Sequence, residues 1–129
     1  MNTNGHTAFR TEIDFELPKG YLDETGTLHR HGTMRLATAA DEILPLRDPR
    51  VQGNEAYLTV IVLARVIVRL GSLTSVHTGV IEGLYASDLA YLQRLYERFN
   101  SADDQDTGAS RTQAVTGEAL RRMTTVGEA

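Results

Sequence analysis

From Phe9 to Leu17 the chain reads FRTEIDFEL, with Phe9, Ile13, Phe15 and Leu17 alternating against Glu12, Asp14 and Glu16. A period of two is that of a half-buried strand, here with an acidic face turned outward. Pro18-Lys19-Gly20 punctuates the run and Asp23-Glu24-Thr25-Gly26 supplies a turn. Thr27 to Leu36 then offers a second strand marked by Leu28, Met34 and Leu36, so a hairpin is predicted. Thr38, with Asp41 and Glu42 downstream, has the form of an N-cap followed by acidic residues in a first turn. The helix it opens is short, because Pro45 restricts it.

A polar connector, Leu46 to Gly53, leads to Asn54 as N-cap of the most apolar segment, Glu55 to Leu70 (EAYLTVIVLARVIVRL), which is predicted to be one helix ending at Gly71. Its apolar residues go almost all the way round the cylinder, so it must be covered on every side, by its own domain or by another molecule. Arg65 and Arg69, four apart, would share one face and mark the wet edge. They also bar a transmembrane reading, which takes about 20 consecutive apolar residues. Thr78 to Leu84 predicts a short helix weakened by Gly79 and Gly83. Ser87-Asp88 caps a closing helix, Leu89 to Phe99, in which Leu89, Leu92, Leu95, Tyr96 and Phe99 recur at three-and-four spacing opposite Gln93, Arg94, Glu97 and Arg98. From Asn100 onward large apolar residues are scarce, and a disordered polar tail is expected, with Leu120 to Met123 able to form a short helix when bound. The fold expected is α+β: an N-terminal β-hairpin packed on about three α-helices. The single domain spans 9–100, between a flexible N-terminus at 1–8 and a flexible tail at 101–129.

Composition narrows the classes of function. The 129 residues hold 13 Lys+Arg against 17 Asp+Glu, a net charge of -4, which disfavours a nucleic-acid binder because phosphate contacts need a concentrated basic face. The absence of cysteine excludes disulfides and thiolate chemistry. The N-terminus lacks the basic start and apolar centre of a signal peptide, so a cytoplasmic location is the expectation. His29 and His31 flank Arg30, but no third ligand at metal-site spacing accompanies them, and both read as exposed hairpin residues. Asp14 and Glu16 read as solvated strand decoration rather than an acid–base pair. Ser87 has no nucleophile elbow around it, and the glycines match no phosphate-binding loop. Tyr57, Tyr85, Tyr91 and Tyr96 lack interleaved basic residues and read as packing. Neither a catalytic residue nor a cofactor or metal site is expected.

An acidic strand, a turn, a second strand running into MRLATAADEI (Met34 to Ile43), an apolar helix ending at Gly71 and a closing helix introduced by ASDLAYLQRLYERF together resemble the small tail assembly chaperones of contractile-tailed phages and phage-tail-like injection systems. The pieces that carry the resemblance are Arg35-Leu36 followed by Asp41-Glu42, and Ile81 to Leu84 followed by Asp88-Leu89 and Tyr96 to Phe99. It covers Glu12 to Asn100. The resemblance implies a non-enzymatic protein that binds a tape-measure protein during tail assembly. An apolar helix with more surface than a small domain covers would suit helix-in-groove recognition. The partner-binding residues expected are Tyr57, Leu58, Ile61, Val62, Leu89, Leu92, Leu95 and Tyr96, with Arg65 at the rim. A baseplate or tube-end component that stays in the particle, and assembles as a ring, is the competing reading, and a non-catalytic subunit of an enzyme is a third.

Overall fold

The computed structural model describes residues 9–102, and the expectations for the N-terminus and for the tail beyond 102 lie outside them. The protein is α+β. Strand β1 (Glu12–Leu22) pairs antiparallel with β2 (Leu28–Arg35), which pairs antiparallel with β3 (Ile67–Leu70), in the order β1-β2-β3. Between β2 and β3 run α1 (Ala39–Ile43), a 3-10 turn (Leu44–Arg47), α2 (Pro49–Gly53) and α3 (Tyr57–Val66). After β3 come α4 (Thr78–Glu82) and α5 (Ala86–Asn100).

The alternation along β1 does what period two requires: Phe15 and Leu17 enter the core while Glu12, Asp14 and Glu16 stay outside. β1 is longer than its alternation suggested, because it continues through Pro18. The register with β2 shifts between Glu16 and Tyr21, so proline sits in an irregular stretch. On the outer face a polar ladder crosses all three strands. Arg69 Nη2 donates to Thr33 Oγ1 at 3.0 Å, and Thr33 Oγ1 donates to Asp14 Oδ1 at 2.9 Å. On the inner face Phe15, Leu17, Met34, Ile67 and Leu70 meet Leu58, Val62 and Leu63 of α3 and Leu92, Leu95 and Tyr96 of α5.

The segment Glu55–Leu70 is not one helix. α3 stops at Val66, and Ile67 turns extended at φ -84 and ψ 107. Val66, Ile67 and Val68 form a β-branched run that suits an extended chain, and the open edge of β2 offers it a ladder. Ile67 and Leu70 fill the inner face while Val68 and Arg69 face out. The break separates the two arginines: Arg65 ends a helix, Arg69 lies on the outer face of a sheet, and they share no helical face. It also removes the expected surplus of apolar surface, since Leu58, Thr59, Ile61, Val62, Leu63 and Val66 are all buried within this domain. The helix itself starts later than predicted: Ala56 is its N-cap, and Asn54 Oδ1, two residues upstream, accepts from Ala56 N–H. The connector expected between Leu46 and Gly53 contains α2, opened by Asp48, whose side chain accepts from Arg50 N–H, and by Pro49 at its first position.

Two glycines are fixed by contact. Gly71 has φ +55, and a Cβ there would lie 2.1 Å from His29 Nδ1. At Gly32 a Cβ would meet the Phe15 ring at 2.4 Å and Arg69 O at 2.5 Å, so a side chain there would force the neighbouring backbone and ring to shift.

Candidate functional site

Strand β2 ends and α1 begins around a buried carboxylate. Thr38 caps α1 in a capping box: its backbone N–H donates to Asp41 Oδ2 at 2.7 Å, and its Oγ1 receives Asp41 N–H. Asp41 is 2% exposed, so its charge must be met inside the protein. Arg35, the last residue of β2, does so bidentately through Nη1 to Oδ2 at 2.7 Å and Nη2 to Oδ1 at 3.0 Å. Arg65, the penultimate residue of α3, adds Nε to Oδ1 at 2.9 Å, and its carbonyl accepts from Arg35 Nη2. The Arg35 bonds, followed by Thr38 and Arg65, hold the Asp41 carboxyl well below the usual carboxylate range against the opposing effect of burial. Next to it, the Tyr96 hydroxyl of α5 donates to Glu42. Burial, and after it the Glu42 carboxylate, push that phenol far above its ordinary value. Strand, cap, helix end and closing helix are thus locked together.

The outer side of this lock is apolar. Ile43, Leu44 and Leu46 are 55%, 43% and 42% exposed, whereas Pro45 between them is buried. Ile43 and Leu46 are three residues apart and form one ridge, while Leu44 stands three after Asp41, on the side where Arg65 reaches in. α3 packs against both α1 and the 3-10 turn, which keeps Arg65 beside them. Arg65 uses its Nε on Asp41, and its Nη groups have no partner among the described residues. The Arg47 side chain, next in sequence to Leu46, likewise has none among them. The acidic neighbours are engaged: Asp41 by the two arginines, Glu42 by Tyr96, and Asp48 by Arg50 at 3.0 Å.

The residues expected to bind a partner lie mostly elsewhere. Leu58, Ile61, Val62, Leu92, Leu95 and Tyr96 are buried and meet one another in the core. Tyr57 and Leu89 are half-buried against that core, Tyr57 donating to Glu82 and lying under Arg50, whose Cζ is 5.0 Å from the ring centroid. Arg65 is exposed at the surface. The capping pattern at Thr38 pointed to Asp41, but nothing in its spacing showed that two arginines from distant strands and helices converge on it. Ile43, Leu44 and Leu46 were missed because so short an apolar run around a proline has no helical period to read.

His29 also departs from its reading as exposed. It is buried at 4% exposure, and its ring stacks on Tyr21 with centroids 6.4 Å apart. Ser72 N–H donates to Nδ1 at 3.3 Å, so the proton sits on Nε2, which donates to Asp23 Oδ2 at 2.7 Å. The other carboxylate oxygen of Asp23 accepts from Thr25 and Thr27 in the turn, and these bonds, His29 first, hold Asp23 well below the usual range. The imidazole ties the hairpin turn to the loop after β3; the close approach of Gly71 is part of the same joint. A cavity of about 280 Å³ lies alongside, lined by Tyr21, Asp23, Thr25, Thr74, Ser75 and His77 among others. His31 is exposed on the outer face, 3.7 Å from Glu16. Asp88, expected as a helix cap, faces inward instead: fully buried, it accepts from Lys19 N–H at 3.0 Å and Gly20 N–H at 2.8 Å, tying α5 to the irregular part of β1. The N-cap of α5 is Tyr85.

Among the described residues no helix is long and apolar enough to cross a membrane. Comparison with protein-family models, curated proteins and solved structures finds no significant match for this chain.

Proposed function

We propose that this protein is a non-enzymatic assembly chaperone of a contractile phage tail or phage-tail-like injection system, acting in the cytoplasm by holding a tape-measure protein soluble until tube subunits enclose it. The observation that carries the reading is the exposed apolar group Ile43, Leu44 and Leu46, mounted on the Asp41-centred lock. A chaperone for a long apolar helix needs adhesive surface that its own fold does not consume, on a base firm enough not to collapse inward. The resemblance to tail assembly chaperones points the same way, and four of the residues quoted for it are in contact here: Arg35 binds Asp41, and Glu42 receives Tyr96.

Co-expression with the tape-measure protein of the same system, followed by affinity purification and analysis of assembled particles, tests the proposal. A soluble complex, together with absence of the chain from finished particles, is the expected result. Retention in the particle assigns the chain to a baseplate or tube-end component, and a gain of activity on reconstitution with an enzyme partner assigns it to a non-catalytic subunit.

A further inference from the structure

We propose that the docking face of this protein is the ridge Ile43–Leu46 with Arg47 and Arg65 at its rim, and that its occupant is an acidic amphipathic helix. The inference rests on the chaperone reading for the existence of a partner, and it adds which surface binds and what the partner's chemistry must be.

Shape argues for a helix. Ile43 and Leu46 form a short ridge on a helical surface, the relief that fits the groove between side-chain rows of another helix. The buried Pro45 and the Asp41 lock fix the backbone beneath, so little ordering entropy is lost on binding. Charge argues for carboxylates on that helix. The chain as a whole carries a net charge of -4, yet at this patch the guanidinium groups of Arg47 and Arg65 have hydrogen-bonding capacity left over among the described residues. Arg65 offers both Nη groups and Arg47 its whole fork, a geometry that grips carboxylates bidentately. Of the nearest acidic side chains, Asp41 and Asp48 are charge-paired with arginines within the domain, and Glu42 accepts from the Tyr96 hydroxyl. Phe9, Leu22, Leu28, Val68 and Tyr85 are also exposed, but none belongs to a group of three exposed large apolar residues within four positions, as Ile43, Leu44 and Leu46 do. An anionic membrane would use the same two chemistries. It is disfavoured because stable surface binding takes a larger apolar face and several basic residues, and because the net negative charge repels it.

The test is titration of the isotope-labelled full chain, followed by amide chemical shifts, with two synthetic helical peptides. One carries a leucine stripe at three-and-four spacing flanked by Glu, and the other has Lys in place of Glu. The Glu peptide is expected to shift the amides of 43–47 and 65, and the Lys peptide to bind at least about fivefold more weakly. Leu46→Asp, at an exposed position, should lower affinity for the Glu peptide about tenfold or more with thermal unfolding unchanged. Arg47→Gln should lower it about two- to fivefold and flatten its salt dependence. Equal binding of both peptides, shifts centred on β3 or the hairpin tip, or no binding would overturn the inference. So would tighter binding to phosphatidylserine vesicles than to the Glu peptide, or a concentration-dependent dimer that buries 43–47. The outcome is separable from that of the chaperone reading: binding of the peptide elsewhere leaves the tape-measure complex standing, while a missing tape-measure complex leaves the mapped face intact.

Discussion

Helix α3 and the short α1 with its 3-10 turn present opposite relations between sequence and surface. α3 carries the densest apolar stretch of the chain and exposes almost none of it: Val62, Leu63 and Val66 are at 0%. The end of α1 and the turn after it carry three large apolar residues, Ile43, Leu44 and Leu46, around a proline and leave all three in contact with solvent. Apolar density therefore measures how much a segment needs covering, and the arrangement of its neighbours decides whether it is covered. α3 is surrounded by a sheet, α4 and α5, whereas α1 and the 3-10 turn cover the α3 side with Asp41 and Pro45 and turn Ile43, Leu44 and Leu46 away.

The largest expected effect tests the buried side of the contrast. Leu63→Ala should cost about 2–5 kcal/mol in chemical denaturation, because the site is enclosed and leaves a cavity. Next comes the lock. Asp41→Ala removes the common partner of two arginines and should cost about 2–3 kcal/mol, below the figure for a fully buried pair because both guanidinium groups remain partly in water. The same carboxylate sets a pH dependence. Its folded-state pKa is depressed, so its stabilisation is fully present above the unfolded value of about 4 and is lost as pH falls from there toward the folded value. Denaturation midpoints measured through the acid range should fall less steeply in Asp41→Asn than in the wild type. Asp88→Ala should cost about 1–3 kcal/mol by leaving the buried Gly20 N–H without an acceptor. At the bottom of the scale, Leu46→Ala should change stability by no more than about 0.5 kcal/mol, as expected for an exposed position. A cost near that of Leu63→Ala would erase the contrast between the two regions.

Much of the architecture is legible in the residues. The alternation from Ile13 to Leu17, the cap at Thr38 with Asp41 and the three-and-four spacing of α5 each obey a local rule, and each gave its element. The end of α3 does not, because an apolar run without periodicity suits a buried helix and a buried strand equally. It was the vacant edge of β2, a tertiary fact, that drew Ile67–Leu70 into the sheet. The candidate face was hidden for a related reason. Asp41, Asp88 and His29 belong to residue types that normally face water, and here each is buried with partners between 3 and 69 residues away in sequence. Once those polar groups occupy interior joints, the apolar side chains left outside are found by exposure and by no sequence period.

The most direct measurement is hydrogen–deuterium exchange of the chain alone and in complex with the tape-measure protein of its system. Added protection concentrated in residues 39–47, with 57–66 equally protected in both states, is the result expected when α3 serves only as core. Protection that instead appears in 57–66 on binding would show that α3 opens to meet the partner, and would contradict a docking face built on the turn after α1.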